Sequence, residues 1–502
     1  MLKVQVSSSN PFEAAVDLLV VGCAEGELSS GELVAAADRA LEGALRQAIT
    51  DERFKGKAGQ VLSLHTFGRL PARRLALVGR GKAETTTARD LLALGGHASR
   101  LAKKTGARSA ALIVPGAALA TADLEALAEG AALGLYQFTK YLKGERATPT
   151  ALETLTLFAP AATDGPAAAA AFERAAATAR AVSRARDLVN EPAGALTPSR
   201  FAATAAEWAG PAGVSIEVLD REACRKLGMG LYLAVAQGSV EEPRFIHLAW
   251  KPAGARRRIV LVGKGVTFDS GGLSLKTNEG MLDMKTDMAG AAAAIAAAVA
   301  VGEEKLPIEV HALAACTENM PSGSSYKLGD VLTSMAGKTV EINNTDAEGR
   351  LTLADALTFG LRLEPDAIID LATLTGACVV ALGPHVAGVM SNDDALATEW
   401  LASANAAGED MWRLPLPARL IEHLESDLAD MKNTGQRWGG ALTAGLFLKE
   451  FVGDKPWVHV DIAGPSSADK EHAHVSKGGT GFAVATLLAF LRRAVSPPEP
   501  RN

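Results

Sequence analysis

Cysteine is scarce in this chain. Cys23, Cys224, Cys316 and Cys378 are the only four among 502 residues, far apart and without C-x-x-C spacing. That argues against a disulfide framework or a thiolate zinc site and fits reduced, buried thiols. None of the nine histidines shows the H-E-x-x-H spacing of single-zinc peptidases, and no G-x-S-x-G nucleophile turn is present. Positive charge is not in excess: 51 Lys+Arg stand against 57 Asp+Glu, a formal charge of -6. Nothing electrostatic therefore favours nucleic acid or an anionic membrane as the main partner. The start, Met1-Leu2-Lys3-Val4-Gln5-Val6, lacks the basic and apolar regions of a signal peptide. The Ala-rich run from Met288 to Val301 falls short of the ~20 residues of a spanning helix. A cytoplasmic location with no membrane partner is expected.

The length exceeds one typical domain, and 48% hydrophobic with 22% charged residues suits large buried cores. Apolar runs at 17–22, 74–79, 109–115 and 154–158 alternate with helical spacing at 32–49, 87–103 and 121–142. The second half alternates likewise, with strand-like runs at 258–263, 308–315, 338–342, 367–371 and 457–462. Helical stretches there lie at 288–301, 351–361, 440–451 and 486–492. The expected fold class is α/β, with two domains, each a mostly parallel or mixed sheet flanked by helices. A long helix is expected to join them, and the chemistry is expected in the C-terminal domain, where polar residues follow strand ends. The expected boundaries are 1–165, a connecting helix 166–190, the catalytic domain 191–495 and a disordered tail 496–502. Residues 159–166 read as the linker, rich in Ala, Pro and Gly.

Two polar stretches stand out. One is Asn343-Asn344-Thr345-Asp346-Ala347-Glu348-Gly349-Arg350-Leu351; the other begins at Gly263-Lys264-Gly265 and holds Asp269, Lys276, Asp283, Lys285 and Asp287. Four carboxylates (Asp269, Asp287, Asp346 and Glu348) brought together repel unless cations neutralise them, and two divalent ions supply the matching charge. Salt bridges from Lys264, Lys276, Lys285 and Arg350 offer another balance. A calcium loop from Asn344 to Asp355 is a third reading, although a strand precedes it where a helix is usual. His311 and His459 sit in apolar strands and read as core residues. The stretches Asn319-Met320-Pro321-Ser322-Gly323 and Lys432-Asn433-Thr434-Gly435 read as turns.

Asn344-Thr345-Asp346-Ala347-Glu348-Gly349-Arg350-Leu351 resembles the signature octapeptide of the cytosolic leucyl aminopeptidase family (bacterial aminopeptidase A type). The resemblance continues through Phe268-Asp269-Ser270-Gly271-Gly272, Met284-Lys285-x-Asp287-Met288, Leu371-Ala372-Thr373-Leu374-Thr375-Gly376-Ala377 and His459-x-Asp461-Ile462-Ala463-Gly464, and covers residues 180–492. It implies two divalent metal ions per subunit, manganese or zinc with magnesium as a further candidate. Lys264, Asp269, Asp287 and Glu348 would hold one ion, and Asp269, Asp346 and Glu348 the other. It implies Lys276 as an oxyanion stabiliser and Arg350 as the holder of a bicarbonate that relays the proton. Met284, Thr373, Leu374, Gly376 and Ala463 would line the pocket for the first side chain, favouring Leu or Met. The implied activity is removal of the N-terminal residue from peptides, and the implied assembly is a homohexamer. Preference for Cys-Gly or other dipeptides is an alternative within that chemistry. DNA binding, known for some relatives, is not expected as the main role.

Overall fold

The computed structural model describes residues 2–26, 28, 31–82, 86–114, 119–148, 150–159 and 165–495. Residues 160–164 of the expected linker and the whole expected tail, 496–502, lie outside the described residues. Two compact units divide the chain: Met1–Arg180 with Lys470–Lys477, and Ala181–Asp469 with Gly478–Asn502. One helix, Gly165–Asn190, spans the division.

In the first unit a six-stranded sheet has the order β1-β6-β5-β2-β4-β3. Its strands are β1 (Lys3–Ser7), β2 (Leu18–Ala24), β3 (Val61–His65), β4 (Arg74–Gly81), β5 (Ser109–Ile113) and β6 (Thr154–Phe158). All neighbours are parallel except the edge pair β3 and β4. Central β2 is buried at every position, as a parallel strand covered on both faces must be. The expected helix over 32–49 is two helices, Glu32–Ala40 and Ala44–Asp51. The break falls at Glu42 and Gly43, which adopt left-handed backbone with φ of 55° and 85°. The segment Lys470–Lys477 belongs to this unit because Arg100 grips it. Its guanidinium donates to the carbonyls of Ala473 and Val475 and pairs with Glu471.

The second unit is built on an eight-stranded mixed sheet, ordered β15-β14-β17-β13-β9-β10-β8-β7. These strands are β7 (Ser215–Leu219), β8 (Arg244–Trp250), β9 (Arg258–Asp269), β10 (Glu309–Asn319), β13 (Ala367–Ala372), β14 (Ala387–Ser391), β15 (Met411–Arg413) and β17 (Trp457–Asp461). A separate three-stranded sheet joins β11 (Val331–Thr333), β12 (Thr339–Glu341) and β16 (Met431–Lys432).

Two differences from the sequence reading matter for function. Strand β9 continues past residue 263 to Asp269, so Lys264 lies within the strand and Asp269 ends it. The strand expected at 338–342 is β12, which sits in the small sheet and not beside β9. The Ala-rich helix is Ala289–Glu303, buried from Ala289 through Gly302. By length and composition Asn278–Glu303 is apolar enough to cross a membrane, but 89% of its apolar window is buried inside the protein. It is apolar all round because it packs over β9, β10 and β13.

Candidate metal centre

Three parts of the second unit converge on one cluster. Strand β9 supplies Lys264 and, at its last position, Asp269. Asp287 stands between a short 3-10 turn, Met284–Thr286, and the start of the buried Ala289–Glu303 helix. The loop after β12 brings Asp346 and Glu348, and the Gly349–Leu361 helix begins at once and carries Arg350. Between Asp269 and Lys276 the chain turns back on itself, with Lys276 N–H donating to the Ser270 carbonyl at 2.9 Å. Gly271 and Gly272 make this possible. Both have positive φ (86° and 62°), and a Cβ on Gly271 would lie 2.9 Å from Asp346 Oδ1. Gly349 is equally constrained, since a Cβ there would lie 2.7 Å from Lys264 Nζ.

Asp269, Asp346 and Glu348 each present one oxygen, and these atoms lie within 4.8 Å of one another. Asp269, Asp287 and Glu348 are buried, while the Asp346 side chain is 32% exposed. Two lysines face the group. Lys264 Nζ lies 2.7 Å from Asp287 Oδ1 and 2.8 Å from Glu348 Oε1, and donates to the Thr373 carbonyl at 3.0 Å. Lys276 Nζ lies 2.9 Å from Asp269 Oδ2 and 2.5 Å from Asp346 Oδ1. Burial holds the carboxyls of Asp287, Glu348 and Asp346 above the ordinary range, and the charge of Asp269 pushes each further the same way. Burial alone would depress Lys264 and Lys276. The surrounding carboxylates overcome it, and both ammoniums hold their protons more tightly than usual.

This arrangement is not self-sufficient. Among the described residues Asp287 Oδ2 has no hydrogen-bond partner. Asp346 Oδ1 and Glu348 Oε1 are met, among the described residues, only by the movable ends of Lys276 and Lys264. Buried acceptors left in this state are costly, and cations with oxygen preference would satisfy them. The salt-bridge alternative is also incomplete. Lys285 donates to the Asn190 carbonyl at 2.8 Å, and Arg350 donates from Nη1 to the Asn433 carbonyl at 2.9 Å. A calcium loop is excluded, because Asp355 accepts from the backbone N–H groups of Tyr232 and Met335 at 2.9 and 2.8 Å.

The loop carrying Asp346 is held by neutral groups. Asn319 Nδ2 donates to both Asp269 Oδ1 and the Thr345 carbonyl, each at 2.9 Å. Buried Tyr326 donates to the same carbonyl at 2.8 Å. Asn433 accepts from Asn343 N–H at 3.0 Å and donates to the Asn344 carbonyl at 2.6 Å. Arg350 is buried, with Nε lacking a partner among the described residues, and burial lowers it to about 10 despite Glu348 and Asp461.

The whole chain has close counterparts. Residues 183–488 match the family model "Cytosol aminopeptidase family, catalytic domain", and residues 20–145 match that family's N-terminal domain. The chain belongs to the cytosol aminopeptidase family. A Geobacter sp. protein named as a probable cytosol aminopeptidase is 44% identical over 493 residues, covering 98% of this chain and 100% of its own. A Cyanothece sp. protein of the same name is 42% identical over 501 residues, covering 98% of this chain and 99% of its own. Among solved structures, a mutant tomato leucine aminopeptidase superposes with a TM-score of 0.90 at 37% identity, covering 98% of this chain and 97% of its own. The bottromycin maturation enzyme BotP, solved in complex with Mn, gives 0.83 at 38% identity, covering 96% of this chain and 100% of its own.

Membership in the cytosol aminopeptidase family makes the chain a peptidase hydrolase and implies metal-dependent hydrolysis at peptide N-termini. Within this cytosol aminopeptidase, the structure gathers Lys264, Asp269, Lys276, Asp287, Asp346 and Glu348 into one cluster. Thr373 joins that cluster through its hydroxyl, which donates to Asp287 Oδ1 at 2.8 Å. Leu374 and Ala463, from loops after β13 and β17, meet at one carboxylate, Asp461. Met284 opens the turn that ends at Asp287, and Gly376 opens the Gly376–Leu382 helix. Sequence reasoning missed Asn319, Asn433 and Asp461 as organisers. Their shared sign is a polar side chain at or just past the end of a strand: Asn319 and Asp461 end strands of the eight-stranded sheet, where an open sheet exposes its ligand side, and Asn433 follows β16 of the small sheet.

Proposed function

We propose that this aminopeptidase removes Leu- or Met-like N-terminal residues from peptides through a di-metal-activated water. The single observation that carries the reading is a carboxylate cluster that fixed donors leave open: among the described residues Asp287 Oδ2 has no partner, and Asp346 Oδ1 and Glu348 Oε1 meet only the movable ends of Lys276 and Lys264. Lys264, Asp269, Asp287 and Glu348 would hold one divalent ion, and Asp269, Asp346 and Glu348 the other. Manganese or zinc fit this mainly oxygen set, with magnesium a further candidate. Two ions there supply an activated water and Lewis-acid seats for the substrate's amino end and scissile carbonyl. To serve as a ligand, Lys264 gives up a proton that Asp287, Glu348 and Asp269 otherwise hold on it.

Lys276 keeps its proton and stabilises the oxyanion by charge. Nε of Arg350, without a partner among the described residues, would hold a small anion, and a bicarbonate there would supply a general base. Met284, Thr373, Leu374, Gly376 and Ala463 form the first-side-chain pocket. The chemistry is assigned to residues 191–495, with 1–165 as the N-terminal domain and 166–190 as its connecting helix. A homohexamer and a cytoplasmic location complete the reading. Exposed Val380, Trp412 and Trp438 offer apolar surface for assembly, which light scattering would size.

The test is a substrate panel with purified protein. Leucyl and methionyl amides should be cleaved fastest, activity should vanish on chelation, and manganese or zinc should restore it. Preferential cleavage of Cys-Gly would move the substrate class. Full activity of an Asp346→Ala, Glu348→Ala double variant would overturn the metal mechanism.

A further inference from the structure

Asp461, the last residue of β17, is fully buried. Its Oδ1 accepts the backbone N–H groups of Leu374 at 3.2 Å, Thr375 at 3.4 Å and Ala463 at 3.1 Å. Its Oδ2 accepts the Thr375 hydroxyl at 2.7 Å. That hydroxyl in turn accepts Cys378 N–H at 3.0 Å, capping the Gly376–Leu382 helix. One carboxylate thus ties the loop after β13 to the loop after β17. The register makes this possible, because Asp461 pairs with Ala372 across those parallel strands.

The loop after β13 is fastened at its other end to the metal centre. Thr373 donates its hydroxyl to Asp287 Oδ1 at 2.8 Å, and its carbonyl accepts Lys264 Nζ at 3.0 Å. The segment Thr373-Leu374-Thr375 is therefore strung between two carboxylates. Asp287 sets its distance from the proposed ions. Asp461 sets its distance from Ala463, the other wall.

We propose that Asp461 is a positioning residue for side-chain selectivity: it fixes both walls of the first-side-chain pocket at a set spacing from the metal centre. The inference rests on reading Leu374, Gly376 and Ala463 as that pocket. A carboxylate suits the task because it only accepts, and every group turned toward it donates. An alanine would leave three N–H groups and a hydroxyl to find other partners, and the two walls would move independently.

The experiment compares the metal-loaded wild type with Asp461→Ala, Thr375→Val and Thr375→Ser on leucyl and alanyl p-nitroanilides, with manganese binding measured by calorimetry. In Asp461→Ala the KM for the leucyl substrate should rise about tenfold, and the Leu-over-Ala ratio of kcat/KM should fall about tenfold. The leucyl kcat should stay within about threefold and the manganese affinity within about twofold, because a binding wall is lost and no transition-state contact is. Thr375→Val should shift the ratio in the same direction, and Thr375→Ser should restore it. If Asp461→Ala does not fold, the Thr375 pair decides alone. An unmoved ratio, or an equal loss on both substrates with manganese affinity falling in parallel, overturns the proposal. A selective wild type with unmoved variants sinks this inference alone. A wild type inactive on every aminoacyl amide sinks the aminopeptidase mechanism and this inference together.

Discussion

The second unit buries two groups of carboxylates and treats them in opposite ways. Asp355, Asp370 and Asp461 are fully buried, and fixed donors hold both oxygens of each. Asp355 accepts two backbone N–H groups, Asp370 takes Trp457 Nε1 and His459 Nδ1 at 2.6 Å each, and Asp461 has four donors. At the candidate metal centre, Asp269 has fixed donors on Oδ1 only, and its Oδ2 faces the movable end of Lys276. Among the described residues Asp287 Oδ2 has no partner, and Asp346 Oδ1 and Glu348 Oε1 likewise meet only lysine ends. A fixed N–H neutralises an acceptor permanently, whereas a lysine end can swing aside. The first group belongs to the scaffold, and the second keeps lone pairs available for ions.

Breaking the second group should cost activity and spare the fold. Glu348→Gln should lower kcat/KM with manganese by at least about a hundredfold. Its metal-free melting temperature should hold or rise, since one charge leaves a crowded cluster; calorimetry in chelator would show it. Breaking Asp370, which holds no wall of the first-side-chain pocket, should do the reverse. Asp370→Ala strands Trp457 Nε1 and the buried His459, and urea unfolding should report a loss of about 3 kcal/mol. Metal content per folded chain should be unchanged.

The smallest effect sharpens the comparison through pH. Burial raises the Asp355 carboxyl to about 7, although its backbone donors pull the other way. A carboxyl that binds its proton more tightly folded than unfolded loses stability for the fold as pH rises. The loss begins near the unfolded value of about 4, continues to about 7 and then levels off. Asp355→Asn cannot titrate, so its stability cost relative to wild type should be greater at pH 5 than at pH 8, by on the order of 2 kcal/mol. An equal cost at both pH values would mean that Asp355 ionises normally.

Much of this was legible in the chain. The α/β alternation, the buried Ala-rich helix and the two polar stretches follow from periodicity and glycine placement. That the two stretches meet is expected from carboxylates that need a balancing charge, with metal and salt bridges both open; the ligand set comes from the resemblance. Lys264 as a ligand came only from resemblance, because an ammonium has no lone pair. The small sheet under Asp346 was hidden, since an apolar run such as 338–342 does not say which sheet it joins. Asn319, Asn433 and Asp461 were hidden for a related reason. Each works through partners from other parts of the chain: Asp461, for example, holds Leu374 and Thr375. A polar residue at a strand end looks the same whether or not such partners arrive.

The grip of Arg100 on the segment Lys470–Lys477 has a consequence for the order in which the protein is made. A ribosome delivers residues 1–180 early, then all of Ala181–Asp469, and only then the piece that Arg100 holds. The first unit to leave the exit tunnel is therefore completed only after the second has almost fully emerged. Until then the Arg100 guanidinium lacks the carbonyls of Ala473 and Val475.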